Sequence, residues 1–175
     1  MSAKQEGEWR ILEMAMKLER DGEAFYKDAA ARTEDAKGKR MFETLARDEV
    51  VHFETLQSIY QSLCAGKSCP ALETIEKRLG RVKTPHPIFP KAKGRAEKAV
   101  THELEALERG IKAEKDSIAL YSKGSKEAGA NGTARWLYDR LVEQERAHLA
   151  ILEGEMDYLM GSGFWFDVFE VDLEG

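Results

Sequence analysis

The sequence predicts an all-α protein in which four long helices form a bundle. Hydrophobic residues make up 42% of the 175 residues and charged residues 34%, with only four prolines, and this balance is typical of long amphipathic helices. Apolar residues recur at alternating steps of three and four, which is the spacing of one buried helix face. Two helical hairpins of the chain also align with each other, which indicates an internal duplication. The length fits one domain over residues 1–175.

The first predicted helix spans about residues 8–31 and carries a carboxylate on its apolar face. Leu12, Ala15 and Tyr26 lie on that face, and Glu19 falls among them. Because burying an unpaired charge costs free energy, Glu19 requires a compensating partner.

The second predicted helix follows a turn over residues 33–38 and continues to about residue 63. Its apolar stripe includes Glu49 and His52, which are one helical turn apart. A carboxylate and an imidazole in this arrangement suit a metal ion in a helix bundle. A single copy of the motif nevertheless favours a packed ion pair, because such pairs are ordinary in protein cores.

The segment over residues 64–94 predicts a long crossover between the second and third long helices. It contains all four prolines of the chain, Pro70, Pro85, Pro87 and Pro90. Proline disfavours regular helix, although residues 71–79 between them are expected to form a short one. The segment also contains Cys64 and Cys69, whose spacing matches no recognised zinc or iron–sulfur site. We interpret both as structural or incidental thiols, with a local disulfide or redox pair as the alternative.

The third and fourth long helices repeat the pattern of the first two. The third spans about residues 95–127 and has Glu114 on its apolar face. The fourth ends near residue 160 and carries a second Glu-x-x-His motif, formed by Glu145 and His148. The two hairpins therefore each contribute one buried Glu followed by one Glu-x-x-His.

A short C-terminal tail over residues 161–175 is glycine-rich and then aromatic. Its aromatic residues are Phe164, Trp165, Phe166 and Phe169. We expect the tail to pack over the end of the bundle or against a partner subunit, with a docking peptide for another protein as the alternative. A homodimer is expected, because single bundles with long apolar faces often associate.

The alignment of the two hairpins turns the separate motifs into one candidate site. A shift of 95 residues along the chain pairs Glu19 with Glu114 and Tyr26 with Tyr121. A shift of 96 residues pairs Glu49 with Glu145 and His52 with His148. Four buried carboxylates and two imidazoles on facing helices would destabilise the fold strongly without cations, whereas two divalent metals would neutralise the carboxylates. The sequence therefore predicts two metal ions in the bundle core.

The chain resembles the ferritin-like di-iron carboxylate superfamily, and within it the rubrerythrin group. The resemblance covers nearly the whole chain and depends on the residues just paired, together with the Ile88-Phe89-Pro90 run before the third long helix. It implies a ferritin-like four-helix bundle that holds two iron ions, which manganese or zinc can replace.

The resemblance also implies a role for each paired residue. The two glutamates of the Glu-x-x-His motifs would bridge the metals, Glu19 and Glu114 would be terminal ligands, and each His would bind one metal. Tyr26 and Tyr121 would lie next to the ligands, and their hydroxyl groups would hydrogen-bond the ligand carboxylates. The alternative for each Tyr is a core aromatic whose hydroxyl finds any acceptor.

The chain departs from the rubrerythrin pattern in two places. It has no paired Cys-x-x-Cys motifs, so we expect an external electron donor such as a rubredoxin or a flavoprotein. An additional glutamate that rubrerythrins carry corresponds here to Ser117, and its repeat mate is Gly22. Both residues are small, so the sequence predicts room beside the metals.

The resemblance implies an oxidoreductase that reduces hydrogen peroxide or dioxygen. Two alternatives remain open, a ferroxidase or iron-storage protein and a sensor or structural bundle that metal only stabilises. The net charge of −5 without a dense basic run argues against nucleic acid as a partner. The absence of an apolar run of about 18 residues argues against a membrane span, and the start has no signal-peptide pattern, so we expect a cytoplasmic protein.

Overall fold

The computed structural model describes residues 3–65, 68, 70–80, 101–128 and 132–166. These residues form five helices and no strand: α1 (Ala3–Arg32), α2 (Ala36–Cys64), α3 (Leu72–Leu79), α4 (Thr101–Ala128) and α5 (Gly132–Ser162). The predicted all-α fold is confirmed, with four long helices and the short α3. Within these ranges, no helix has the length and apolar character that crossing a membrane requires.

The turn between α1 and α2 is stabilised by side chains at both helix ends. The Thr33 hydroxyl donates to the Ala29 carbonyl at 2.8 Å. The Asp35 carboxylate caps α2 by accepting from the backbone N–H groups of Lys37 at 2.8 Å and Gly38 at 3.3 Å. This cap satisfies free backbone N–H groups in the first turn of α2. The helix therefore begins at Ala36, within the turn that the sequence predicts over residues 33–38.

The helices pack as two hairpins, α1 with α2 and α4 with α5, and α1 also contacts α4. The short α3 packs against α2 within the crossover, where the sequence predicts a short helix over residues 71–79. The helix α1 begins at Ala3, five residues earlier than expected. The third long helix is expected to start near residue 95, which lies outside the described residues. Its described part, α4, begins at Thr101.

The apolar core forms two clusters. One surrounds the turn end of the first hairpin and contains Tyr26, Phe42, Leu45, Leu107, Leu152, Leu159 and Trp165, among others. The other contains Leu12, Ala15, Leu56, Ile59, Tyr121, Leu137 and Leu141, among others. Each fully buried Leu contributes about 1.5–3 kcal/mol to folding. Along α1 and α2, Glu19 and Glu49 lie between the residues of the two clusters, so apolar packing on both sides holds these carboxylates in place.

An aromatic pair in each hairpin shows the duplication in three dimensions. The rings of Tyr26 and Phe42 have their centroids 6.2 Å apart and their planes at 24°. The rings of Tyr121 and Tyr138, which are the repeat mates of this pair, lie 6.2 Å apart at 25°. The two hairpins therefore share side-chain packing as well as sequence.

The described part of the tail packs over one end of the bundle, as the sequence predicts. Trp165 is buried, meets the Phe42 ring at a centroid distance of 5.8 Å, and donates from Nε1 to Glu103 Oε2 at 3.1 Å. The backbone N–H of Phe166 donates to Glu155 Oε2 at 3.0 Å. The remaining tail, residues 167–175, lies outside the described residues.

Candidate metal centre

The six residues predicted from the repeat converge in the bundle interior. They are Glu19, Glu49, His52, Glu114, Glu145 and His148, each at most 5% exposed. They form two groups of four, in each of which the candidate ligand atoms lie within 4.8 Å of one another. The first group holds Glu19 and His52, the second holds Glu114 and His148, and Glu49 and Glu145 belong to both.

His52 lies close to three carboxylates. Its Nδ1 is 3.1 Å from Glu145 Oε1, 3.2 Å from Glu49 Oε2 and 3.4 Å from Glu19 Oε2. These carboxylates come from three different helices, so the position exists only in the folded bundle.

His148 has the equivalent surroundings in the other group. Its Nδ1 is 3.2 Å from Glu145 Oε2, 3.7 Å from Glu49 Oε1 and 3.8 Å from Glu114 Oε1. The two imidazole rings are nearly parallel, with centroids 5.7 Å apart and planes at 23°. Glu49 and Glu145 each direct one oxygen toward each histidine, which is the geometry of carboxylates shared between two cations.

Several buried polar atoms in the site lack a hydrogen-bond partner among the described residues. They are both carboxylate oxygens of Glu19, both of Glu145, and Nδ1 of His148. Leaving a buried polar atom unsatisfied costs about 1–3 kcal/mol, and more for a charged group. Two divalent metal ions would satisfy these atoms and neutralise the carboxylates, so the residues fit a di-metal centre. Oxygen and imidazole ligands suit iron, manganese and zinc.

The pKa values of the terminal carboxylates reflect crowding of negative charge. Burial raises the pKa of Glu19 well above its usual value, and the charges of Glu49 and Glu145 raise it further. Burial likewise raises the pKa of Glu114, with the same two carboxylates adding to the shift. Metal binding would act against these shifts, because it requires the ionised form of a ligand carboxylate.

The pKa values of the histidines and of Glu145 shift in opposite directions. Burial lowers the pKa of His52, but Glu145, Glu19 and Glu49 together raise it well above its usual value. Burial also lowers the pKa of His148, but Asp48, Glu145 and Glu114 together raise it well above its usual value. Burial raises the pKa of Glu145, yet the two imidazoles bring it well below its usual value. The two imidazoles therefore favour the ionised form of Glu145, which lies between them.

The outer nitrogen of His52 is held by an amide that the sequence reasoning missed. His52 Nε2 lies 2.6 Å from Gln144 Oε1, and Gln144 Nε2 donates to the Leu79 carbonyl of α3 at 3.0 Å. Because an amide nitrogen must face the carbonyl, its oxygen faces the imidazole, so His52 Nε2 carries the hydrogen. In the neutral imidazole, Nδ1 then keeps a lone pair directed at the centre.

The outer nitrogen of His148 faces a carboxylate instead. His148 Nε2 lies 3.4 Å from Asp48 Oδ2, and a carboxylate can only accept. Asp48 and Gln144 are repeat mates, each immediately before one of the shared glutamates. Their equivalent positions in the repeat are the sequence signal that could have identified both as residues of the site. That signal does not show which histidine each one contacts.

The two predicted tyrosines behave differently. The Tyr26 hydroxyl donates to Glu114 Oε1 of the other hairpin, the contact with a ligand carboxylate that the resemblance implies. The Tyr121 hydroxyl is buried without a hydrogen bond in the described structure, so the contact expected for it is not formed. Its equivalent acceptor, Glu19, directs Oε2 toward His52 instead.

A cavity of about 170 Å³ lies beside the site, between α1 and α4. It reaches the carboxylates of Glu49 and Glu114, and both Gly22 and Ser117 line it. A Cβ atom at Gly22 would lie 3.5 Å from Glu49 Cγ, an ordinary contact. The room that these two small residues predict is therefore present.

The remaining histidines and cysteines lie away from this centre or outside the description. His102 is exposed on α4, and Cys64 is exposed and free at the end of α2. His86 and Cys69 fall outside the described residues.

Comparison with known proteins places the chain in a family. A family model described as Rubrerythrin matches residues 10–156, which include all six candidate ligands. Searches of the curated proteins and of the solved structures found no match.

Proposed function

Because the chain belongs to the rubrerythrin family, we propose that it is a non-haem di-iron redox protein that reduces hydrogen peroxide or dioxygen with electrons from an external donor. The observation that carries the proposal is the pair of four-residue groups that share Glu49 and Glu145 beside an open cavity. Such paired groups, with space next to them, suit a reaction in which two metals act on one small molecule.

In this proposal, the shared Glu49 and Glu145 would hold both ions, and each group would add one further carboxylate and one imidazole for its own ion. With iron bound, the centre would supply the two electrons that, with two protons, convert one hydrogen peroxide molecule into two water molecules. The protein holds the ligands rigidly, since each is buried between the two apolar clusters. Burial of the six side chains also strengthens the electrostatic interactions among them.

The cavity supports a small uncharged substrate over a cation as the molecule that enters. Two aspartates line it, Asp21 and Asp116, and each forms an ion pair one helical turn away on its own helix. Their partners are Lys17 and Lys112, so the charges of these two aspartates are locally balanced. A passage that concentrated Fe(II) for storage would gain from an unbalanced negative charge.

Tyr26 is proposed to hold Glu114 in position during the reaction. Its hydroxyl group lines the cavity side of the site and donates to Glu114 Oε1. Burial raises the pKa of Tyr26 well above its usual value, and the Glu114 charge adds to the shift, so its hydroxyl keeps its proton.

Stopped-flow oxidation of the Fe(II)-loaded protein tests the proposal. We expect peroxide to oxidise the bound iron much faster than it oxidises free Fe(II), with saturation at two irons per chain. Oxidation no faster than that of free Fe(II) contradicts the redox function. Uptake of many irons per chain would favour storage instead.

A pair of substitutions at Ser117 tests the cavity. Ser117→Leu fills the space beside the site, so it should slow oxidation by peroxide without changing the iron content. Ser117→Ala is the matched control, because it removes the hydroxyl but leaves the cavity open. Equal rates for both variants would show that substrate reaches the metals by another route.

A further inference from the structure

The residues that face the outer nitrogens of the two imidazoles differ between the hairpins. His52 Nε2 lies 2.6 Å from the amide oxygen of Gln144, whereas His148 Nε2 lies 3.4 Å from a carboxylate oxygen of Asp48. Gln144 and Asp48 occupy the same position of the repeat, and each contacts the histidine of the other hairpin. One position of a duplicated unit thus presents a neutral group to one imidazole and an acidic group to the other.

The orientation of Gln144 is fixed by α3. The last carbonyls of a helix have no partner within it, and α5 supplies partners for two carbonyls at this helix end. Gln144 Nε2 donates to the Leu79 carbonyl at 3.0 Å, and Arg140 Nη2 donates to the Gly80 carbonyl at 2.8 Å. Gln144 is buried, so its oxygen remains directed at His52.

Asp48 is placed differently. Its side chain is 35% exposed, so solvent screens part of its charge. A carboxylate that accepts from a ligand imidazole nevertheless makes that imidazole a stronger donor than an amide does, because it stabilises the positive charge that metal binding places on the ring. The imidazole of His148 should therefore be the better ligand of the two.

We propose that Gln144 and Asp48 are positioning residues that orient His52 and His148 toward the metals, and that Asp48 makes the position next to His148 bind a divalent ion more tightly. The proposal rests on the proposed function, since it requires the centre to hold metal. Its consequence is an order of loading, in which the His148 position fills first.

Anaerobic titration with iron-57 as Fe(II), read by Mössbauer spectroscopy and calorimetry, tests this order. In the unmodified protein we expect two binding steps whose affinities differ by about tenfold. This is the size of effect that the hydrogen-bonding partners of ligand histidines typically have on metal affinity. At half saturation, one quadrupole doublet should therefore dominate. Two equally populated doublets at half saturation would overturn the proposal.

Two isosteric substitutions should each remove the difference in affinity between the two metal positions. One should weaken the tighter position, and the other should strengthen the weaker position. Asp48→Asn gives both histidines an amide partner, so the tighter step should weaken until the two steps merge. Gln144→Glu gives both a carboxylate, so the weaker step should strengthen, although this variant loses the donor to Leu79. Asp28→Asn is the matched control, because it removes an exposed charge on α1 and should leave both steps unchanged.

The outcomes separate this proposal from the proposed function. If two irons bind with equal affinities, or if Asp48→Asn leaves a difference in affinity unchanged, the roles proposed for Gln144 and Asp48 are contradicted. The proposed function is not affected by either result. A folded protein that binds no Fe(II) contradicts the proposed function as well. Circular dichroism of each variant establishes that it is folded, so a misfolded Gln144→Glu protein leaves Asp48→Asn as the deciding test.

Discussion

The two hairpins of this protein present the same ligands but different surroundings. Each contributes one terminal carboxylate, one shared carboxylate and one imidazole, and each stacks a Tyr on a second aromatic ring at the same distance. They differ in the partners of their histidines, in the hydrogen bonding of their tyrosines and in their contacts with the tail. The candidate ligands are therefore the same in both hairpins, whereas the residues that surround them differ.

The largest expected effect comes from replacing the two glutamates that belong to both groups of candidate ligands. Glu49→Ala and Glu145→Ala each remove a carboxylate common to both groups, so each should abolish binding of both metals. Glu19→Ala should weaken only one position and retain one ion. Metal content after dialysis, measured by mass spectrometry, distinguishes these cases. Glu54→Ala, at an exposed position of α2, should keep both ions, and a Glu49→Ala protein with two ions would contradict the shared role.

The second largest expected effect is that the stability of the metal-free protein depends on pH. Both hairpins should contribute to this dependence in the same way. The pKa values of Glu19 and Glu114 are raised above 4.5, and those of His52 and His148 above 6.5. Groups with raised folded-state pKa values stabilise the fold below the unfolded pKa and lose that contribution as pH rises through the folded pKa. The lowered pKa of Glu145 acts in the opposite sense, but below 4.5.

The metal-free protein should therefore lose stability as pH rises above 4.5 through the two carboxyl groups, and above 6.5 through the two imidazoles as well. Urea unfolding at two pH values measures the change. Glu19→Gln and Glu114→Gln should flatten the dependence equally, since each removes one of the raised groups. With metal bound the sign should reverse, because metal binding requires deprotonated ligands. A metal-free midpoint that rises with pH would contradict this prediction.

A third test compares the two tyrosines. Tyr26→Phe removes a buried hydrogen bond to a carboxylate and should lower the free energy of unfolding by about 1.5–3 kcal/mol. Tyr121→Phe removes a buried hydroxyl that has no hydrogen bond, so it should raise the free energy of unfolding by about 1–3 kcal/mol. Chemical denaturation of both variants measures the difference. Equal losses would show that the hairpins use their tyrosines in the same way.

The smallest expected effect concerns the tail. A Cβ atom at Gly38 would come within 2.5 Å of the Trp165 ring, whereas the repeat mate of this residue is Ala134. Gly38→Ala should displace Trp165 and cost about 1–3 kcal/mol, with a red shift of its fluorescence. Gly132→Ala is the control, because nothing lies within 4 Å of its added Cβ. Unchanged fluorescence in Gly38→Ala would contradict close packing of the tail on α2.

Much of the candidate site was predictable because its signals are local. Helical periodicity places Glu19 and His52 on buried faces, and the repeat shows that neither is isolated. The tail illustrates the limit, since an aromatic run predicts that it packs but does not identify Gly38 as the residue against which Trp165 lies. Spacing along one helix also does not identify the neighbour of Asp48. It is four residues before His52 on α2, yet it contacts His148 of α5.

The sequence by itself determined the helical class, the duplication and the identity of six buried polar residues, because periodicity and self-similarity are properties of the chain. Only the tertiary structure decided how those residues divide into two groups and which partner each histidine receives. The physical reason is that both imidazoles turn Nδ1 toward the shared carboxylates, which directs Nε2 at the facing helix. Contacts across helices depend on packing and side-chain rotamers, and no spacing along one helix encodes them.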